Sequence, residues 1–130
     1  MIRAKKRFTT KSNAILEKDV KQAVKEIILE LDPNAHIFMP VQTGFGSPDL
    51  DFIVSIRGYA LRIETKVGHK QPTQRQLQTI AALDRAGVPV LIIDQNNLED
   101  LVQILLALQV NYKRLAYLYS QDSRERYTEK

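Results

Sequence analysis

The chain has 130 residues, 44% of them hydrophobic and 26% charged, proportions of a folded globular domain that exclude a disordered or fibrous chain. That length suits one compact domain with a single core. No apolar run approaches the roughly 18–20 residues a membrane span needs, and the opening MIRAKKRFTTK has no apolar stretch behind its basic residues, so it is not expected to act as a secretory signal. The absence of cysteine excludes disulfides, thiolate zinc sites and cysteine nucleophiles, and fits a cytoplasmic location. With only His36 and His69, any metal must be held mainly by oxygen. The net charge of +4 is uneven: residues 1–25 carry eight basic residues against two acidic, a net of +6, leaving −2 for the rest. A basic arm on a near-neutral body suits a polyanion such as nucleic acid, the alternative being a solvated tail.

Residues 1–11 read as this arm, 12–110 as the folded domain and 111–130 as a tail, helical at first and then polar, that holds four of the five tyrosines. A first helix is predicted from about Asn13 to Leu31, closed by Asp32-Pro33 because a residue before proline is pushed out of the helical region. His36 to Gln42 is a short strand candidate broken by Pro40, and Thr43 to Pro48 a glycine-containing loop. Leu50–Ile56 and Tyr59–Lys66 are β-rich runs around Arg57-Gly58, a hairpin in which a bulge is an open alternative. A second helix runs from Gln74 to Ala86, with Thr73 as N-cap, Gly87 as stop and Pro89 just beyond. Val90–Ile93, wholly apolar, reads as a buried strand. Asn97 is the expected cap of a third helix, with Glu99 and Asp100 in its first turn and Leu98, Leu101, Val102, Leu105, Leu106 and Leu108 as its apolar face. The order αβββαβα defines an α/β layer domain.

The placement of acids is the informative feature. On a helical wheel Val20, Val24, Ile27, Ile28 and Leu31 form one stripe, and Glu17 lies about 20° from its middle. A carboxylate turned toward a core is costly unless it is compensated; the alternative is that Glu17, near the helix start, curls into water. In the hairpin, if Ile56 faces Tyr59, the register carries on to set Asp51 opposite Glu64 and Asp49 opposite Lys66. Alternation then turns Asp49, Asp51, Glu64 and Lys66 to one side and Leu50, Phe52, Val54 and Ile56 to the other. Facing like charges destabilise a sheet, but a divalent cation would neutralise them; a merely exposed polar face with one Asp–Lys bridge is the competing reading.

Gly46-Ser-Pro-Asp49, then Glu64-Thr-Lys66, then Pro72-Thr-Gln-Arg-Gln76 together resemble the PD-(D/E)XK nuclease superfamily, and within it the VRR-type (virus-type replication-repair) nuclease domain. The resemblance spans about Glu17 to Asp94. It rests on the ordered set, since a lone Glu-x-Lys is nearly uninformative. It implies a restriction-endonuclease-like core, a mixed sheet of about four strands flanked by helices. It implies Asp49 and Glu64 as metal-binding carboxylates, with the Thr65 carbonyl as a further ligand, Lys66 as the residue that stabilises charge or positions the attacking water, and Glu17 as the helical acid completing the cluster. Gln76 matches the family glutamine that points to the site, although Thr73-x-x-Gln76 is equally a capping box. Asp51 has no firm counterpart and is expected to support the site from behind. His69 and Lys70 are candidates to touch phosphate, and Arg3, Lys5, Lys6 and Arg7 to bind DNA.

The residue types suit phosphodiester hydrolysis. Mg²⁺ lowers the pKa of its bound water and acts as a Lewis acid. It takes hard oxygen ligands while keeping several waters, and Mn²⁺ is expected to substitute. The resemblance implies an Mg²⁺-dependent DNA endonuclease acting on structured or branched DNA such as Holliday junctions. It also implies a homodimer, whose interface the third helix and Tyr112, Tyr117 and Tyr119 could supply unless they pack on the domain's own core. A phage, prophage or bacterial context fits. The alternative is a catalytically silent nucleic-acid-binding module on the same fold. A small-molecule α/β enzyme lacks support, there being no glycine-rich phosphate loop and no Ser-His-Asp set.

Overall fold

A computed structural model of the chain describes residues 15–40, 50–68 and 70–108. The elements follow as α1 (Glu17–Leu31), β1 (His36–Phe38), β2 (Phe52–Ile56), β3 (Tyr59–Thr65), α2 (Gln74–Arg85), β4 (Val90–Ile93) and α3 (Leu98–Ala107). This is the expected α/β order. The strands form one mixed sheet in the order β1-β2-β3-β4, with β1, β2 and β3 antiparallel and β4 parallel to β3. No helix among the described residues is long and apolar enough to cross a membrane.

The core lies between the sheet and two helices. Val20, Ala23, Val24, Ile27 and Ile28 of α1 and Leu98, Leu101, Val102 and Leu105 of α3 pack on Phe52, Val54, Ile56, Leu61, Ile63 and Ile93. Each large aliphatic side chain so buried contributes about 1.5–3 kcal/mol. The helical stripes predicted from periodicity are these faces, except that Leu106 is exposed and Leu31 and Leu108 only half-buried. α2 buries no residue completely and stands on the other side of the sheet, where its Gln76 meets Glu64.

The β2–β3 register pairs Ile56 with Tyr59 and Phe52 with Ile63, so the hairpin has a two-residue loop and no bulge. Arg57 and Gly58 both have positive φ (52° and 85°), the signature of a type I′ turn that matches strand twist. Arginine is a poor choice for that conformation, and its side chain supplies the reason. The Arg57 guanidinium donates to the carbonyls of Leu31, Leu105 and Leu108 at 3.0–3.2 Å, closing the C-terminal ends of α1 and α3 over the turn.

Several boundaries depart from expectation. α1 begins at Glu17, where the Asp19 carboxylate accepts the Leu16 N–H; Asn13 lies outside the described residues. β1 stops at Phe38, short of Pro40, since proline cannot donate to a ladder. β4 is not a buried strand: it is the sheet edge, and only Ile93 is fully buried. Asn97 does not cap α3 with its side chain. Its Oδ1 accepts the Asp94 N–H and its Nδ2 donates to the Ile92 carbonyl, tying the end of β4 to the start of α3.

Candidate functional site

The hairpin end remote from the Arg57–Gly58 turn brings together Asp51, Glu64 and Lys66. β3 delivers Glu64 and Thr65 there, with Lys66 directly after it. Asp51 stands in a bend one residue before β2. α1 reaches the same place with its first turns, and α2 with Gln76. The Lys66 N–H, bonded to the Ile93 carbonyl, brings in the end of β4, from which the chain enters α3. Three helix N-termini thus lie at one end of the sheet, and their dipoles favour negative charge.

Glu64 is 2% exposed. Its Oε2 pairs with the Lys66 ammonium at 3.1 Å and accepts a hydrogen bond from Gln76 Nε2, while its Oε1 accepts the Asp51 N–H at 3.2 Å. Gln76 Oε1 accepts from Lys66 Nζ at 3.0 Å and from the Thr73 N–H at 2.9 Å. The Gln76 N–H donates to the Thr73 hydroxyl. Thus the capping-box arrangement and the orientation toward Glu64 and Lys66 are met in one side chain.

Asp51 differs from the sequence expectation in orientation. Alternation predicts that it shares a side with Glu64, but a bend frees it from the pleat. Its Oδ2 accepts from the Thr65 N–H at 2.8 Å and the Thr65 hydroxyl at 2.7 Å, and its Oδ1 pairs with Lys21 of α1 at 3.3 Å. Burial alone would raise the Asp51 carboxyl. The two Thr65 donors, the neighbouring Glu64 carboxyl and the Lys21 charge overturn that and hold it below the usual range. Burial and the adjacent Asp51 charge push Glu64 the other way, up to about 7, against the opposing pull of Lys66. The same surroundings thus favour the anion at Asp51 and the protonated form at Glu64.

Glu17 is not turned into the core. It is the first residue of α1, with a side chain 40% exposed, and Lys21 stands 3.9 Å from it. Helical side chains lean toward the N-terminus, so a first-turn residue over the apolar stripe reaches past the sheet into water. Lys70 is exposed. Asp49, His69, the basic residues Arg3, Lys5, Lys6 and Arg7, and Tyr112, Tyr117 and Tyr119 lie outside the described residues. Sequence reasoning missed Lys21 and the donor role of Thr65. The former was detectable as an i+4 partner of Glu17 about 60° from the centre of the apolar stripe.

Among the described residues no group of three or more His, Cys, Asp or Glu is gathered closely enough to hold a metal ion. Asp51 and Glu64 are the adjacent carboxyl groups there, and hard cations such as Mg²⁺ or Mn²⁺ take one or two carboxylates together with several waters. Comparison of the chain with protein-family models, with curated proteins and with solved structures gives no match.

Proposed function

We propose that the protein is a metal-dependent DNA endonuclease on a restriction-endonuclease-like core, with structured or branched DNA as its substrate. One observation carries this reading: a buried Glu64 bracketed by Lys66 and Gln76, with the anionic Asp51 beside it, at the end of a sheet where three helices begin.

Asp51 and Glu64 are the residues that would hold the cation, joined by Asp49 if the Pro-Asp of the sequence pattern serves as in the family it resembles. When bound, a divalent cation supplies Lewis acidity and a more acidic water. The chain's own residues do the rest. Lys66, gripped by Gln76, holds a positive charge next to Glu64 for the charge that builds on phosphate. Thr65 fixes the Asp51 carboxylate through two hydrogen bonds, so its orientation is set before any ligand arrives. Arg3, Lys5, Lys6 and Arg7 supply phosphate contacts, and a second copy of the chain would provide a second site for paired strand cuts.

The test is a cleavage panel of linear, flapped, forked and four-way DNA with Mg²⁺, Mn²⁺ or EDTA, for the wild type, Lys66→Ala and Glu64→Gln. Metal-dependent nicking lost in both variants is expected. DNA binding without cleavage in any metal would overturn the enzymatic reading and leave a binding module.

A further inference from the structure

Each of the two carboxylates has its own lysine, and the two lysines are held differently. Lys66, 13% exposed, is tied to Glu64 and to Gln76. Lys21 is 30% exposed and lies 3.3 Å from Asp51 Oδ1 and 3.9 Å from Glu17 Oε2. Its backbone is anchored by Val20 and Val24, both fully buried, while its four-carbon stem leaves the ammonium free to swing. With Oδ2 occupied by Thr65 and Oδ1 by Lys21, Asp51 has neither oxygen without a partner. A cation approaching Asp51 at Oδ1 therefore competes with the Lys21 ammonium for that oxygen.

We propose that Lys21 is a positioning residue that serves Asp51 as an exchangeable counter-ion, pairing with its carboxylate in the metal-free protein and yielding it to a divalent cation. This rests on the reading of the site given above. Two features make the exchange feasible. Thr65 keeps Asp51 aimed after Oδ1 is released, so no reorientation follows. Glu17, half-exposed on the same helix, is a second carboxylate to which the ammonium can retire. Lys66 has no such freedom and stays with Glu64.

Mn²⁺ binding to the full chain without DNA, followed by calorimetry or electron paramagnetic resonance, tests the proposal. Lys21→Met is expected to bind Mn²⁺ about five- to tenfold more tightly, because a competing ion pair is gone. The tightening should vanish in an Asp51→Asn background, where the contested carboxylate is absent. Lys18→Met, an exposed lysine of the same helix, controls for overall charge and should leave affinity unchanged; circular dichroism confirms folding of every variant. Equal or weaker binding by Lys21→Met, equal tightening in the Asp51→Asn background, or equal tightening by Lys18→Met would each overturn it. If neither wild type nor Lys21→Met binds Mn²⁺, the counter-ion role and the metal site fall together. If the wild type binds metal and cleaves DNA but Lys21→Met binds no better, only the role of Lys21 falls.

Discussion

Lys66 Nζ lies 3.0 Å from Gln76 Oε1, the same oxygen that accepts the Thr73 N–H at the start of α2. The helix cap and the ammonium are therefore held by one amide, and its other end donates to Glu64. Because Lys66 lies just after β3 and Gln76 lies in the first turn of α2, this oxygen couples the docking of α2 to the aim of the lysine.

Gln76→Leu should therefore have two separable effects. Loss of the cap contact lowers stability by about 1 kcal/mol. Loss of the Lys66 acceptor leaves the ammonium less well aimed, and cleavage under single-turnover conditions should fall about 10–100-fold. Urea unfolding and single-turnover cleavage on the same samples separate the two. A stability loss with cleavage intact would reduce Gln76 to a cap.

Glu64 makes stability depend on pH in a definite direction. Its carboxyl sits at about 7 against an ordinary 4.5, so the stability of its neutral form is fully present below about 4.5 and is lost as pH rises through about 7. Asp51 acts oppositely: lowered from 3.8, it contributes above that value and is lost as pH falls. Without metal, this pair sets maximal stability at about pH 4–5 and a decline toward pH 8. Glu64→Gln should flatten the decline and exceed the wild type at pH 8 by about 1–3 kcal/mol. Urea midpoints in EDTA across that range check it; parallel slopes for the two proteins would show that Glu64 does not hold the proton.

Arg57 joins three chain segments through one side chain, and this can be tested apart from any activity. Arg57→Asn keeps a residue that tolerates positive φ but removes three donors to the carbonyls of Leu31, Leu105 and Leu108. A loss of about 2–3 kcal/mol is expected, on the scale of charged hydrogen bonds to groups left part-buried. Arg57→Lys should recover only part of it, since one ammonium cannot serve carbonyls on two helices at once. Full recovery by lysine would mean that charge at the helix C-termini, and not the guanidinium fork, matters.

The pattern of apolar residues was enough to read the element order, the hairpin register and the buried faces of α1 and α3, because burial imposes periods of 3.6 and 2 on the chain. The adjacency of Asp51 and Glu64 followed from that register. What the pattern could not carry was orientation at element ends. Asp51 escapes the pleat because a bend precedes β2, Glu17 leans off the helix start into water, and Asn97 spends its amide on the end of β4. β4 reads as buried because it is wholly apolar, yet composition alone does not say whether a strand is central or at the edge. The Lys21–Asp51 pair joins residues thirty positions apart across the packing of α1 on the sheet, and no local spacing encodes it.

Glu17 is the residue for which exposure and position argue differently, and a metal titration resolves it. At 40% exposed and 3.9 Å from Lys21, its ion pair contributes little to folding, so Glu17→Gln should change stability by less than about 0.5 kcal/mol. Its charge nevertheless faces the Lys21–Asp51 pair, and removing it makes the site less attractive to a cation. Across partly exposed surroundings one charge at such range is worth about 1 kcal/mol or less. The Mg²⁺ concentration for half-maximal cleavage should therefore rise about two- to fivefold, the rate at saturating Mg²⁺ changing far less. Wild type and Glu17→Gln are compared on one four-way DNA substrate over a full Mg²⁺ range. A lowered rate at saturating metal would make Glu17 part of the reacting centre itself. Superimposable curves would remove it from the site and leave Asp51, Glu64 and Lys66, with Asp49 of the Pro-Asp pair, to carry the chemistry.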